Sequence, residues 1–362
     1  MSKVTFNNKN SVFFTALKTE VEQYFRQQKI KRTGNWKLYI KPGILIPSAI
    51  ALYIILLLLP MSAIVGIFLC AVLGFVLASI GFNVMHDACH GSFSSRKWVN
   101  NLFGYTLNAL GGNEFFWRQK HNIIHHTYTN IDGMDDDIAK SPVIRQCDTQ
   151  KWLAFHRVQH IYLPLVYAIT SLAWTFIMDF VKYFSQRIVK TSVQNMNTKN
   201  HLIFWLSKVL YLIFYILIPG LMVGWKAWAI GFITVHAVFG FTLAIVFQLA
   251  HVVEHTEFDV ASDDPKLIET EWAVHQVRTT ANFATHNKII SWFVGGLNFQ
   301  IEHHLFPRVS HVHYPALSKI VTRVCELHGM PYHQFPTMSS AIASHFRFMR
   351  QLGRKPRLIL TD

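Results

Sequence analysis

Charged residues are scarce in this chain: Asp, Glu, Lys and Arg make up 15% of 362 residues, where a soluble chain carries about 25%. The deficit is concentrated in a few long apolar runs, which excludes an ordinary soluble globule. Acidic residues are the scarcer kind. Twenty Asp and Glu stand against 34 Lys and Arg, a formal net charge of +14. The cations fall between apolar runs, which points to a membrane surface or an acidic protein partner and away from nucleic acid. The four cysteines (Cys70, Cys89, Cys147, Cys325) form no CxxC pair, so neither a disulfide framework nor a thiolate zinc site is expected. The N-terminus has no short apolar stretch followed by a cleavage site, so no cleavable signal peptide is expected. Internal repeats and low-complexity linkers are absent too. One membrane domain over residues 43–335 is expected, between a cytoplasmic N-terminal segment (1–42) and a cytoplasmic C-terminal tail (336–362).

What the chain does have is hydrophobic length. Ile44 to Leu59 is apolar, Pro60 interrupts, and Met61 to Met85 is apolar again, with no charged residue between Ile44 and Met85. Each run is close to the roughly 20 residues that cross about 30 Å of hydrocarbon, so the pair reads as a transmembrane hairpin. A second hairpin follows at His201 to Val223 and Ala227 to Ala250, with its turn near Pro219 to Trp225. Lys226 is the one cation at either hairpin tip. By the positive-inside rule the N-terminus, the long middle segment and the C-terminal segment are cytoplasmic. Ile161 to Met178 is also apolar, but Arg157 precedes it and Lys182 and Arg187 follow it. Basic residues at both ends favour a helix lying in the interface. The expected fold is therefore an all-α integral membrane protein, with four transmembrane helices in two hairpins plus cytoplasmic and interfacial helices. A bacterial inner membrane is the expected location, with the endoplasmic reticulum as the alternative.

Histidine is abundant, with 20 residues, and clustered. His86-Asp87-Ala88-Cys89-His90 directly follows the second span, and its two imidazoles share a helix face at i, i+4. His121-Asn122-Ile123-Ile124-His125-His126 repeats the spacing with an added neighbour, and Gln300-Ile301-Glu302-His303-His304 follows the fourth span. His251 and His255 leave the end of that span, again at i, i+4. With two complete hairpins every cluster emerges on the cytoplasmic side, where all can meet. Were Ile161 to Met178 to cross, the third cluster would land on the opposite face. Imidazole suits zinc, copper, iron and nickel, and one zinc needs only three or four ligands. The number grouped here is enough for two metals with open positions.

HDACH, HNIIHH and QIEHH resemble the three histidine boxes of the membrane fatty acid desaturase family, in order and at similar separations, over roughly residues 45 to 335. The resemblance implies a site of two non-haem iron ions that removes two hydrogens from adjacent methylenes of an acyl chain, with O2 as co-substrate and two electrons supplied. The run Leu297 to Pro307, LNFQIEHHLFP, is similar to front-end desaturases, which act between an existing double bond and the carboxyl end. Many of those carry a fused cytochrome b5 domain with an HPGG motif. This sequence has no such motif, which implies a separate electron donor, a ferredoxin or cytochrome b5. The acyl group is expected on coenzyme A or on a membrane lipid. Similarity in the boxes extends to hydroxylases and ketolases.

The expected iron ligands are His86, His90, His121, His125, His126, His303 and His304, with His251 as the extra ligand that the resemblance implies and His255 as a further candidate. Gln300 offers an amide oxygen to the same site. Asp87 and Glu302 are expected to orient imidazoles or cap helices, and Asp132, Asp135, Asp136 and Asp137 to form a solvated acidic turn, with orienting histidines or gripping a basic neighbour as the alternative. His236, in mid-span, is expected to be hydrogen-bonded within the bundle. His156, His160 and His286 are expected on the surface. Trp117, Arg118 and Lys120 could meet a phosphorylated acyl carrier or lipid headgroups. Two rival readings remain at this stage. His251-Val252-Val253-Glu254-His255 matches the HxxEH pattern of zinc peptidases, and a metal transporter or haem electron carrier would place its histidines within the spans.

Overall fold

In a computed structural model, which describes residues 4–9, 11–139, 142–260 and 266–355, the chain is predominantly helical. Helix α1 (Val12–Gln28) is amphipathic, and Phe13, Leu17, Val21 and Phe25 recur at i, i+4 on its buried face. Helix α2 (Trp36–Leu58) starts at Asn35, whose side chain accepts from the Lys37 amide. Helix α3 runs over Ala63–His90 and contains a π turn at Gly81–Met85, directly before the first histidine pair. Helix α4 covers 114–128, and its middle turn, Arg118–His125, is also π-helical. The remaining long helices are α5 (Ala154–Ser185), α6 (Thr198–Val223) and α7 (Trp225–His251). A cap of shorter helices follows: α8 (Trp272–Thr279), α9 (Gln300–Leu305), α10 (Tyr314–Leu327) and α11 (Met338–Leu352). Sheet is confined to strand pairs of two or three residues among the described residues.

Among the described residues five helices, not four, are long and apolar enough to cross a membrane: α2, α3, α5, α6 and α7. The additional one is α5, which contains the segment read as interfacial. It packs into the bundle against α7. A Cβ on Gly240 would come within 2.8 Å of the Ala168 carbonyl, and one on Gly74 within 2.5 Å of the Val235 carbonyl. Both glycines let α7 approach its neighbours, α5 and α3, at backbone distance. Ser171 of α5 bonds the ring of His236, whose other nitrogen meets the Tyr211 hydroxyl at 2.7 Å. Each end of α5 is tied to one compact stretch of chain. Lys182 Nζ reaches Asp136 at 3.0 Å, and Gln159 exchanges hydrogen bonds with the Arg145 backbone. Gln146 bonds the Asp137 carbonyl, bringing the two anchor points together.

The large side chains along the spans face outward, among them Ile44, Ile50, Ile54, Phe68, Leu202 and Leu206, as hydrocarbon contact requires. At the other end, α1 buries Phe13 and Leu17 with Ile301, Leu305 and Val321, so it clamps α9 and α10 over the bundle. The stretch read as a C-terminal tail carries α11, whose Ala341, Met349 and Leu352 are core residues. His345 of α11 donates to the Val252 carbonyl and accepts from Tyr167 at 2.8 Å. Residues 356–362 of that expected tail lie outside the described residues.

Candidate metal centre

The π turn of α4 carries His121 and His125, and α3 ends on His86 and His90. Helix α9 brings His303 and His304, and α7 ends on His251. These elements converge, and the imidazoles form two groups. In the first, ring nitrogens of His86, His90, His121 and His303 lie within 4.8 Å of one another. In the second, those of His125, His251 and His304 do the same. His126 sits between them, its ring centroid 4.6 Å from that of His303 and 4.5 Å from that of His304. All of these residues are buried.

The pattern of hydrogen bonds shows what these rings are prepared for. His125 Nδ1 lies 3.0 Å from Asp135, His304 Nδ1 is 2.8 Å from Gln276 Oε1, and His251 Nδ1 is 3.4 Å from the Thr279 carbonyl. Those partners accept, so Nδ1 carries the proton and Nε2 keeps its lone pair. His303 Nδ1 meets the Tyr314 hydroxyl at 3.0 Å. The Nε2 atoms of His90, His125, His251, His303 and His304 are buried with no hydrogen-bond partner among the described residues. Buried polar atoms left open in a cluster call for an occupant. Inward lone pairs with outward N–H groups held by carboxylate or carbonyl are the arrangement of metal-binding histidines. The residues present fit a metal site.

Electrostatics agree. Burial, and then the neighbouring imidazoles, holds His121, His126, His303 and His304 well below the usual histidine range, so these rings are neutral at neutral pH, the form that can bind a metal. Burial pushes His125 down as well, but the Asp135 and Asp137 carboxylates outweigh it and the net shift is upward. Burial pushes the Glu302 carboxyl up to about 7, against hydrogen bonds from Asn282 and Tyr332.

Several expectations need correction. His255 does not join the cluster. Helix α7 stops at His251, and His255 is exposed in a left-handed conformation (φ 78°), its ring stacked on His333. Glu254 pairs with Arg347 at 2.7 Å, so the HxxEH peptidase geometry is not assembled. The acidic turn is not a solvated loop: Asp135 is fully buried on His125, and Asp136 and Asp137 pair with Lys120. Arg118 is held by Glu114 and the Cys89 carbonyl. Glu302 bonds Asn282 and Tyr332, not an imidazole. Asp87, by contrast, faces imidazoles as expected, His311 at 3.1 Å and His86 at 4.0 Å, and also accepts from Ser310 at 2.7 Å. His156 is buried on the Pro142 carbonyl rather than exposed, His160 is half-buried and His286 is exposed. Gln300 is buried beside the third box, and its amide nitrogen has no partner among the described residues. Sequence reading missed Tyr314, Gln276 and Thr279. No local pattern marks them, because each meets its histidine only through the tertiary fold.

Known proteins resemble the chain along almost its whole length. It is 33% identical over 357 residues to the sn-1 linoleoyl-lipid 6-desaturase of Arthrospira platensis, covering 98% of this chain and 96% of that one. It is 34% identical over 361 residues to the sn-1 linoleoyl-lipid 6-desaturase of Synechocystis sp., covering 97% and 98%. An acyl-lipid (8-3)-desaturase of Physcomitrium patens is 34% identical over 353 residues, covering 95% of this chain and 72% of the relative. The sequence profile of the fatty acid desaturase family matches residues 61–336, a stretch that contains all three histidine boxes and every imidazole of the two groups. By its sequence and by the buried imidazoles those boxes bring together, the chain belongs to the fatty acid desaturase family.

Proposed function

We propose that this desaturase, a multi-pass membrane oxidoreductase, is a front-end acyl-lipid enzyme. It introduces a cis double bond between an existing one and the carboxyl end of a lipid-linked acyl chain. The observation that carries this reading is the set of two imidazole groups with open, inward Nε2 atoms. The QIEHH box and the relatives' names supply the regiochemistry and the lipid carrier. Lys120 is paired with Asp136 and Asp137 and so is not free for a coenzyme A phosphate.

His86, His90, His121 and His303 would hold one iron and His125, His251 and His304 the other, with His126 packed between the two groups. Two irons so held supply oxygen activation and removal of two hydrogens: –CH2–CH2– plus O2, two electrons and two protons gives –CH=CH– plus two waters. Asp135, Gln276, Thr279 and Tyr314 fix the ring orientations before metal enters. Burial of all these imidazoles keeps bulk water from the reacting centre. Gln300 offers a weaker amide ligand, or holds a water, in the same pocket. A separate ferredoxin or cytochrome b5 supplies the electrons, its acidic surface attracted by the cationic cytoplasmic face.

Four of the five long helices span. Helix α5 enters and leaves on the histidine side, because its two ends are tied to Asp136 and Arg145. With α5 re-entrant, both termini are cytoplasmic and the three boxes share one face of the membrane, a bacterial inner membrane.

Expression in a host with defined linoleoyl lipids, with double bonds located by gas chromatography, tests this. The expected result is two irons per chain and a new cis bond on the carboxyl side of the existing one. His304→Ala removes both, and Gln300→Ile removes activity from inserted protein. A hydroxylated product, a bond on the methyl side, or turnover with acyl-CoA alone overturns it.

A further inference from the structure

The first histidine group has a support that the second lacks, and it reaches into the membrane. Lys41 lies on α2 and is only 5% exposed. Its ammonium has three protons and no lone pair. All three are used: Nζ donates to Asn83 Oδ1 at 2.7 Å, to the Trp292 carbonyl at 3.2 Å and to His311 Nε2 at 2.8 Å. The last contact fixes a tautomer. With Nε2 accepting, His311 carries its proton on Nδ1, which faces Asp87 Oδ2 at 3.1 Å. Asp87 Oδ2 also accepts from Ser310 Oγ at 2.7 Å and from the His311 amide at 3.2 Å. With Oδ2 so occupied, Oδ1 is left facing His86 Nδ1 at 4.0 Å, an ion-pair separation rather than a direct hydrogen bond. Lysine, imidazole and carboxylate thus form one buried chain, neutral as a whole, that ends at the first histidine box. Asn83 is locked in its turn by donating to the Ser79 and Phe293 carbonyls.

We infer that Lys41 and His311 are positioning residues for the metal reaction: through Asp87 they set the orientation of His86, so that the first membrane helix helps to hold the first iron. Neither residue lies in a histidine box. A carboxylate buried beside an imidazole ligand raises its basicity and fixes its ring, and loss of such a partner typically costs about 10–100-fold in metal affinity or activity. Lys41 keeps that carboxylate paired, because an isolated buried charge is strongly unfavourable.

The inference rests on reading the clustered imidazoles as iron ligands, and the experiment separates the two. Ferrous iron is loaded into purified protein in detergent. Its release to a chelator is timed, and the near-infrared circular dichroism of the ferrous sites is recorded. A wild-type protein that binds no iron overturns the metal reading itself. With iron bound, His311→Leu is expected to release one iron at least tenfold faster and to alter one set of ligand-field bands. His311→Gln, which keeps a donor and an acceptor on one side chain, is expected to recover to within about threefold. A leucine variant that holds iron and spectrum like wild type overturns the inference. So does equal damage by glutamine and leucine, which would make the role one of packing. Should the leucine variant fail to insert, Ser310→Ala decides. It removes one hydrogen bond to Asp87 without stranding a charge, and faster release with shifted bands supports the inference, while unchanged values overturn it.

Discussion

The two imidazole groups are built from one kind of side chain but are held in different ways. In the second group each ring has its own acceptor on Nδ1: Asp135 for His125, Gln276 for His304, Thr279 for His251. In the first, His303 meets a hydroxyl, and His86 faces a carboxylate 4.0 Å away that is itself positioned by other residues. His121 Nε2 lies 3.2 Å from His86 Nε2 and 3.3 Å from His126 Nε2, and its ring stacks on Trp117, so it is placed by ring packing rather than by an acceptor of its own. The second group is oriented by the surrounding protein and the first by a chain of contacts. Pre-orientation lowers the cost of binding, so the two metals should differ in affinity, the second group binding more tightly.

The largest expected effect follows from removing the strongest support in the second group. Asp135→Asn takes away the charge behind His125 and should lower retention of that iron, with activity, by about 10–100-fold. His255→Ala, at a site the sequence also nominated, should leave both unchanged. Elemental analysis and turnover on the two variants check this, and equal losses would erase the distinction between clustered and exposed imidazoles.

A smaller effect, of several-fold, concerns the order of metal loss. At neutral pH a chelator should remove iron in two phases, the faster from the first group. Acid should reverse that order. His125 is shifted upward by Asp135 and Asp137, so it takes up a proton first as pH falls, whereas His121 and His303 are shifted downward and resist protonation. Spectra that resolve the two sites during chelation and acidification decide the matter. The same order in both would remove the proposed asymmetry.

The smallest effect is on electron supply, which should not distinguish the groups. Turnover with a reduced acidic carrier should slow as salt rises, because screening shortens to about 8 Å at physiological ionic strength. Metal content should not change over the same range. A salt-independent rate would exclude charge-guided docking.

The boxes were legible because their members lie within a few residues of one another and imidazole spacing survives in the linear chain. His251 was legible from the family resemblance and its place at a span end. Their partners were not. Asp135 is ten residues from His125, Gln276 is 28 from His304, and Lys41 is 270 from His311. The acidic turn read as solvated because four aspartates in sequence resemble a loop, and nothing local shows that Lys120 and His125 fold against them. His255 misled because i, i+4 spacing predicts a shared face only while the helix continues, and here it ends at His251. Helix α5 exposes a limit of hydropathy. Composition alone admits it as a span, and only the ties at its two ends, to Asp136 and Arg145, argue otherwise.

The π turn of α4 sets the spacing between the two groups. His121 belongs to the first and His125 to the second, so one helical turn carries an imidazole of each. The separation of the centres is therefore dictated by how the main chain is wound, and a wide turn of this kind is one residue richer than its α counterpart. Adjusting a rotamer cannot retune that gap. Removing one residue between Arg118 and His125 would rewind the helix and swing one imidazole away from its partners, so in this segment the residue count matters as well as the identity of His121 and His125.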